Sequence, residues 1–342
     1  MSSSSLPLTR QSVQSAHKAI KPYIHLTPVL TSTSINDIAS TPELPLNLFF
    51  KCENFQKVGA FKARGAFHAL SRSSREELSK GVVTHSSGNH AQALAYAART
   101  HGIPAHIIMP SISTPSKIAA TKSYGANVVF SGSTAEERWK VASEVIEQTG
   151  ARFIPPYDHP DIILGQGTLA LELEEQVKEL MGEGTLDAVV TPLGGGGMLA
   201  GVATALYGTG IRVFGAEPSF QGGDDGKRGL EQGQRITSVS TLTIADGLRT
   251  PLGEINWSII SDKSKVTGVF SVGEEEIKKA MKILLERLKV FVEPSACVPF
   301  AVVLFDEGFR NECKRLGIKR LGIVLSGGNT TVETIAKLFG ES

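Results

Sequence analysis

Residues 50–70 read FKCENFQKVGAFKARGAFHAL and join an apolar, strand-like run to a helix through a short loop. Lys62 lies near the start of that helix and shares a face with Ala66 and Ala69, at the i+4 and i+7 positions. Burial of a lysine lowers the pKa of its amine and frees the amine to act as a nucleophile. The alternative, and the commoner case for a lone lysine, is that the stem packs inward while the ammonium reaches water. The opposite face of the helix carries a polar stripe of Arg64, His68 and Ser71.

Short β-rich runs alternate with helical patterns along the chain of 342 residues, and the strands are apolar throughout. This alternation predicts an α/β fold in which helices cover both faces of parallel sheets. The run at 81–155 contains compact βα units and predicts a small lobe, inserted into a large lobe built from residues 1–80 and 156–342. Ligands of such folds bind at the carboxyl ends of the strands.

The composition excludes several classes of protein. Lys and Arg number 35 against 34 Asp and Glu, which argues against a nucleic-acid binder or a protein held to membranes by basic patches. Cys52, Cys297 and Cys313 form no CxxC pair, which fits a reducing compartment without structural zinc. The first residues, MSSSSLPLTRQS, have no apolar signal and predict a short disordered lead-in to a helix near residues 11–23. We therefore expect a soluble, cytoplasmic protein.

Two loops, each between a strand and a helix, carry residues suited to an anion. SSGNHAQA (86–93) places small hydroxyls, Gly88 and Asn89 at a helix N-terminus, where amides and the helix dipole favour negative charge; a well-capped helix is the alternative. PLGGGGMLAG (192–201) has four glycines whose amides can converge on a single phosphate. It lies in the charge-free stretch 188–211, which predicts a buried strand, a glycine loop and a buried helix rather than a membrane span.

LSGGN (325–329) ends the last strand and, by itself, predicts a tight turn with a helix cap. Together with Lys62, the three motifs supply an amine nucleophile, a phosphate cradle and polar groups for a ring, which are the requirements of pyridoxal phosphate. From about Thr27 to its end, the chain resembles the fold-type-II pyridoxal-phosphate enzymes, in particular the serine racemase and serine/threonine dehydratase family. The resemblance implies two lobes, each with a twisted, mostly parallel sheet flanked by helices.

The same resemblance implies the cofactor, pyridoxal phosphate, and its contacts. Lys62 would bind the cofactor covalently, and Lys62 and Ser87 would form an acid/base pair on opposite faces of its ring. The remaining cofactor contacts would be Phe61 beside the ring, Asn89 at its 3-hydroxyl, Ser326 at its nitrogen, and Gly194, Gly195, Gly196, Gly197 and Met198 at the phosphate. The substrate contacts would be Ser86, Ser87, Asn89, His90 and Arg138.

The implied activity is that of a homodimeric serine racemase that also dehydrates serine or threonine, with hydrolysis to a keto acid and ammonia. A serine at the ring nitrogen cannot keep the ring protonated as a carboxylate would, which suits elimination. An L-threo-3-hydroxyaspartate ammonia-lyase is the alternative enzyme. A pyridoxal-phosphate carrier or amino-acid sensor is the non-enzymatic alternative, and the presence of Lys62 disfavours it.

A divalent cation, Mg²⁺ or Ca²⁺, is also implied by the resemblance. In GAEPSFQGGDDGKRG (215–229), its ligands would be Glu217, the Gly223 carbonyl and Asp225, since these cations prefer hard oxygen ligands. The loop is longer than the family's usual pattern, so Asp224 is an alternative ligand to Asp225. An acidic surface turn is the alternative to a metal site.

Overall fold

The strands of the computed structural model form two separate sheets. In chain order, the strands are β1 (Val29–Leu30), β2 (Asn47–Cys52), β3 (Val82–His85), β4 (Ala105–Pro110), β5 (Asn127–Ser131), β6 (Arg152–Phe153), β7 (Ala188–Pro192), β8 (Arg212–Pro218), β9 (Gly268–Val272) and β10 (Arg320–Leu325). The larger sheet has the order β1-β2-β10-β7-β8-β9 and is parallel except for the pairing of β1 with β2. The smaller sheet, in the order β5-β4-β3-β6, is parallel throughout.

Helices pack on both faces of the larger sheet. In chain order, the helices are α1 (Arg10–Ile20), α2 (Thr33–Ala39), α3 (Lys62–Ser71), α4 (Arg75–Ser79), α5 (Asn89–His101), α6 (Pro115–Ser123), α7 (Ala135–Thr149), α8 (Pro160–Met181), α9 (Gly197–Leu206), α10 (Asp225–Gln232), α11 (Glu254–Ile260), α12 (Glu274–Ile283), α13 (Pro294–Phe305), α14 (Glu307–Leu316) and α15 (Val332–Gly340). Successive strand residues enter opposite cores: Phe50 packs with α12 and α13, whereas Phe49 packs with α8 and α9. Both faces are therefore apolar, as a covered parallel sheet requires.

The structure confirms the predicted α/β class and the buried strand, glycine loop and helix at 188–211. β1 and β6 have two residues each, and the apolar pattern of β9 is interrupted by Ser271, so none of these three strands is recognisable as an apolar run in the sequence. All strands of the smaller sheet lie within the predicted small lobe at 81–155, and the lobe boundaries themselves stay a prediction. The structure describes residues 6–182 and 184–340, so the start of the predicted disordered lead-in lies outside it. None of the described helices is long and apolar enough to cross a membrane.

The polar stripe of α3 is buried in a network of charges. Arg64 is fully buried and donates to Glu53 from Nε at 2.7 Å and to Glu172 from Nη1 at 2.8 Å. Lys51, equally buried, donates from Nζ to Glu172 at 2.7 Å and to the Thr27 carbonyl at 2.9 Å. Burial would raise the pKa of the Glu172 carboxyl, but Arg64 and Lys51 hold it below its ordinary value. The network thus balances two cations with two carboxylates and fastens β2 and α3 to α8.

Replacing Arg64 with methionine should destabilise the protein by about 3–5 kcal/mol, because two buried carboxylates would then share the single Lys51 ammonium. Denaturant unfolding followed by far-ultraviolet circular dichroism measures this change. Arg315 pairs with Glu312 on the surface at 2.6 Å and is the matched control: Arg315→Met should leave the unfolding free energy nearly unchanged, because water screens an exposed ion pair. Equal, small effects of the two substitutions would contradict the assigned role of the network.

Candidate active site

Lys62 opens α3 with its amine turned into the protein. Its Nζ donates to the Pro156 carbonyl at 2.6 Å and lies 5.2 Å from the centre of the Phe61 ring. In the described part of the chain, no carboxylate lies within ion-pairing distance of this amine. Burial lowers the pKa of Lys62 to about 8. The Lys62 amine is therefore turned inward with a lowered pKa, and its action as a nucleophile stays a prediction.

The four glycines at 194–197 follow β7 and turn directly into α9. A Cβ added to Gly195 would lie 2.5 Å from the Tyr157 ring, and one added to Gly197 would lie 2.8 Å from the Tyr157 carbonyl oxygen. Gly196 has a φ of +92°, in the left-handed region that other residues rarely adopt. Glycine is thus required here both for close approach and for backbone conformation.

The carbonyl side of this loop is anchored, which leaves its amide side available. The Gly195 carbonyl accepts from the Gly253 amide at 3.1 Å and from Asn256 Nδ2 at 2.6 Å. Within residues 6–182 and 184–340, the amides of Gly194, Gly195 and Gly196 donate to no protein group. They stand at the N-terminus of α9, beside Met198 in its first turn. Unpaired amides at a helix N-terminus form a cradle for a phosphate.

Ser326 brings the end of β10 next to Lys62. Its carbonyl accepts from the Phe61 amide at 3.0 Å, and the neighbouring Gly327 forms an isolated antiparallel bridge with Ala60. The Ser326 residue is buried, and its hydroxyl makes no hydrogen bond to the described residues. A hydroxyl without a protein partner at this position can serve a ring nitrogen of a bound molecule.

Asn89 begins α5 and is held by two residues that the sequence analysis did not single out. Its Nδ2 donates to Glu293 Oε1 at 2.9 Å, and its Oδ1 accepts from Asn329 Nδ2 at 2.8 Å. The Asn329 backbone amide donates to Glu293 Oε2 at 3.1 Å. Burial raises the pKa of the Glu293 carboxyl to about 7. A buried carboxyl thus lies directly beside the predicted ring-binding asparagine.

The loop between β3 and α5 provides small polar groups, and the first turn of α5 provides a neutral histidine. The Gly88 amide donates to Ser86 Oγ at 3.3 Å, whereas the Ser87 hydroxyl makes no hydrogen bond to the described residues. His90 is buried, with Nε2 lying 3.2 Å from the Ile154 carbonyl and Nδ1 without a partner. Burial, and then the charge of Lys62, lower the pKa of His90 to about 3. His90 is therefore uncharged and close to the Lys62 amine.

Arg138 is half-buried on α7 rather than fully solvated, and its contact with substrate stays a prediction. Burial and then the Arg138 charge lower the pKa of His85, at the end of β3. Burial raises the pKa of Tyr157, and the Arg138 charge opposes this rise. The Arg138 Nε is buried without a partner, and no carboxylate of the described residues pairs with this guanidinium. An arginine without an acidic partner is available to a carboxylate from outside the protein.

Two of the predicted metal ligands, Glu217 and Asp225, lie at the end of β8 and at the start of α10. Glu217, at the end of β8, is buried and accepts from the Gly226 and Lys227 amides, each at 2.9 Å. Asp225 is also buried and accepts from the Leu252 amide at 2.9 Å. Burial, and then the charge of Asp225, raise the pKa of Glu217 well above its ordinary value. No group of three His, Cys, Asp or Glu side chains is placed to hold a metal within the described ranges.

Several residues that shape the site were missed in the sequence analysis: Tyr157, Asn256, Glu293 and Asn329. The Tyr157 ring and the Asn256 side-chain amide contact the glycine loop, and no local sequence pattern predicts such contacts. Asn329 does lie in the quoted motif LSGGN, but a cap was the simpler interpretation. A buried glutamate flanked by apolar residues, as in FVEPSACVPF, was the available signal for Glu293.

Comparisons with known proteins agree with this geometry. The model of the family described as "Pyridoxal-phosphate dependent enzyme" matches residues 20–327. The chain is 46% identical to a serine racemase of Arabidopsis thaliana, over 97% of this chain and 96% of that one. It is 43% identical to an L-threo-3-hydroxyaspartate ammonia-lyase of Saccharomyces cerevisiae, over 96% and 95% of the two chains.

The likeness extends to the folded structure. The structure of maize serine racemase superposes with a TM-score of 0.89 at 42% identity and covers 96% of each chain. The inward lysine, the unpaired amides of the glycine loop and the free Ser326 hydroxyl also match the amine, phosphate and ring contacts that pyridoxal phosphate requires. The chain therefore belongs to the family of pyridoxal-phosphate dependent enzymes.

Proposed function

We propose that this protein is a serine racemase that also acts as a serine/threonine dehydratase. The observation that carries the proposal is the Lys62 amine, which has a lowered pKa and lies close to His90, in the first turn of the helix that follows Ser87. The similarity to serine racemases over nearly the whole chain supports the same activity.

In this proposal, Phe61, Lys62, Asn89 and Ser326 hold the cofactor ring, and residues 194–198 hold its phosphate. Once bound, pyridoxal phosphate supplies a ring that stabilises negative charge at the α-carbon of an attached amino acid. The substrate carboxylate binds at the N-terminus of α5, where Ser86, Ser87, Asn89 and His90 offer amides and hydroxyls. His90 contributes no charge to this contact because its imidazole is neutral.

Lys62 and Ser87 divide the proton transfers between them. The Lys62 amine removes the α-proton on its own side of the substrate, which a pKa near neutrality favours. The Ser87 hydroxyl, free of protein partners, returns a proton from the opposite side and so inverts the α-carbon. When the β-hydroxyl leaves as water before that proton is returned, hydrolysis takes up one water and gives a keto acid and ammonia instead of the D-amino acid.

A second candidate activity, L-threo-3-hydroxyaspartate ammonia-lyase, is favoured by one observation. This substrate has a second carboxylate, and the Arg138 guanidinium has no carboxylate partner in the described structure. The relative from Saccharomyces cerevisiae carries that activity in its name. Product formation from L-serine, L-threonine and L-threo-3-hydroxyaspartate, compared as kcat/KM, separates the two candidates.

Lys62→Ala should abolish turnover of every substrate and the visible absorbance of the lysine-bound cofactor, because no other amine can replace Nζ at this position. The absorbance spectrum of the purified protein and pyruvate release from L-serine measure both effects. Lys178→Ala, on the exposed part of α8, is the matched control and should leave both unchanged. Residual turnover in Lys62→Ala would exclude the central role given to this lysine.

Ser87→Ala should lower D-serine formation from L-serine by about 10²–10⁴-fold, the usual contribution of a positioned acid or base, while part of the pyruvate formation remains. Chiral chromatography and a pyruvate assay on one sample give the two rates. Ser86→Ala, at the neighbouring hydroxyl, should lower both reactions by a similar factor, since it affects the binding of substrate. If Ser87→Ala also lowers both rates equally, Ser87 positions substrate and transfers no proton.

We propose that Glu217, the Gly223 carbonyl and Asp225 hold Mg²⁺ or Ca²⁺. Two buried carboxylates lie close together here, and no lysine or arginine pairs with either within the described residues. Burial also raises the pKa of Asp225 to about 6. Asp224, the alternative ligand, already pairs with Arg228 at 3.0 Å, which favours Asp225. A hard cation would supply the missing positive charge.

Adding millimolar Mg²⁺ or Ca²⁺ to protein treated with a chelator should raise its melting temperature, because a ligand that binds the folded state stabilises it. Asp225→Asn should remove this rise, whereas Asp224→Asn should retain it. Differential scanning fluorimetry measures all three proteins. A rise that persists in Asp225→Asn, or no rise in the unmodified protein, would overturn the proposed cation site.

We further propose a homodimer in the cytoplasm. Leu26, Phe55 and Phe291 are 68%, 48% and 42% exposed. They lie on neighbouring segments, since the Phe55 carbonyl contacts His25 Nδ1 at 3.1 Å and Asn54 Nδ2 donates to the Phe291 carbonyl at 3.2 Å. Such an apolar patch suits burial against a second subunit.

The cytoplasmic location is supported by the cysteines. Cys52, Cys297 and Cys313 are free and buried, which fits a reducing compartment.

A further inference from the structure

The side-chain amide of Asn89 has a defined neighbour at each end. Its Nδ2 faces a carboxyl oxygen of Glu293 at 2.9 Å, and its Oδ1 faces Nδ2 of Asn329 at 2.8 Å. One of the two Nδ2 hydrogens is used by Glu293, and the other has no partner among the described residues. The orientation of the amide therefore decides whether Asn89 presents a donor or an acceptor to the site.

Glu293 by itself does not fix this orientation. Burial raises the pKa of its carboxyl to about 7, so near neutral pH it is present both as a carboxylate and as an acid. The carboxylate accepts only, whereas the acid also donates, and it could then face the Oδ1 of a rotated Asn89. Another group must hold the amide.

The orientation of Asn329 is fixed by the backbone. Its Nδ2 donates to the Val58 carbonyl at 2.8 Å as well as to Asn89 Oδ1. A carbonyl can only accept, so rotating the Asn329 amide would bring oxygen against oxygen at both contacts. Val58 itself has φ +56° and ψ +17°, a left-handed conformation that a β-branched residue rarely adopts. The loop thus keeps an unfavourable conformation that points this carbonyl at Asn329.

We propose that Asn329 is a positioning residue: held by the Val58 carbonyl, it orients Asn89 so that the second Nδ2 hydrogen points to the 3-oxygen of pyridoxal phosphate. A donor at that oxygen stabilises its ionised form, whereas the Asn89 Oδ1 would repel it. This inference rests on the proposed contact of Asn89 with the cofactor. It assigns a function to the last residue of LSGGN and to the strained conformation of Val58.

Asn329→Asp tests the inference because it keeps the size of the side chain and removes its NH₂. An aspartate has at most one donor, so it cannot serve both the Val58 carbonyl and Asn89 Oδ1, and Asn89 is driven to rotate. We expect cofactor binding to the apoprotein, measured by equilibrium dialysis, to weaken by about tenfold or more. In the cofactor-loaded protein, the near-ultraviolet absorbance band of the neutral 3-hydroxyl form should grow at the expense of the visible band.

Asn329→Ala separates positioning from a structural role. It leaves Asn89 free to choose either orientation, so it should perturb the spectrum and the affinity less than Asn329→Asp. A merely structural role predicts the reverse order, since alanine also removes packing against Gly59, where Asn329 Oδ1 lies 2.9 Å from an added Cβ. That reverse order, or a spectrum and affinity unchanged in Asn329→Asp, would overturn the inference.

A double-mutant cycle with Asn89→Ala decides the remaining cases. Without the Asn89 amide, Asn329→Asp should have no further effect on the spectrum, whereas additive effects would overturn the inference. If Asn329→Asp does not fold, as judged by circular dichroism of the apoprotein, the same cycle with Asn329→Ser gives the decision.

If Asn89→Ala alone leaves the spectrum and affinity unchanged, the proposed contact with the cofactor fails, and this inference fails with it. A change in Asn89→Ala without a change in the Asn329 variants removes this inference alone.

Discussion

The buried ion cluster around Arg64 is the constraint on which the placement of the site depends. Lys62 lies two residues before Arg64 in α3, and Arg64 is fixed by Glu53 on one side and by Glu172 of α8 on the other. The first turn of α3 therefore cannot rotate without separating buried charges. The position of the Lys62 amine follows from a contact that is made on the opposite face of the same helix.

The two kinds of buried charge differ in their partners. Arg64 and Lys51 are compensated by Glu53 and Glu172, and they stabilise the fold. The Lys62 amine, by contrast, has no carboxylate partner among the described residues, and its pKa is lowered to about 8 by burial alone. Glu293, Glu217 and Asp225 likewise form no ion pair with a cation among the described residues, and burial is the largest cause of their raised pKa values. Uncompensated groups of this kind collect at functional sites because a ligand completes their environment.

The sequence predicted the parts of the site that a local pattern specifies. The glycines at 194–197 announce a close approach of the backbone, and Lys62 stands out because its helix face is otherwise apolar. The fold class also followed, since strands apolar on both faces require helices on both sides. These features depend on residues that are neighbours in the chain or at helical spacing.

Contacts between distant segments could not be predicted in this way. Arg64 belongs to a stripe that looks polar by spacing, and only its pairing with Glu172, 108 positions away, explains why that stripe is buried. Asn329 reaches Asn89 across 240 positions, and Glu293 reaches it across 204. Each pairing depends on how segments that are distant in the chain pack together, which neither composition nor periodicity encodes. No local sequence pattern predicts the orientation of the Asn89 amide, because both of its partners lie far away in the chain.

The central claim is that the Lys62 amine binds the cofactor. Reduction of the purified protein with borohydride makes the bond between lysine and cofactor permanent, and mass spectrometry of the digested protein then locates the pyridoxyl group. We expect the label on the peptide that contains Lys62 and on no other peptide. A label on a different lysine, such as Lys51 or Lys57, or no label in protein that has retained the cofactor, would contradict the account.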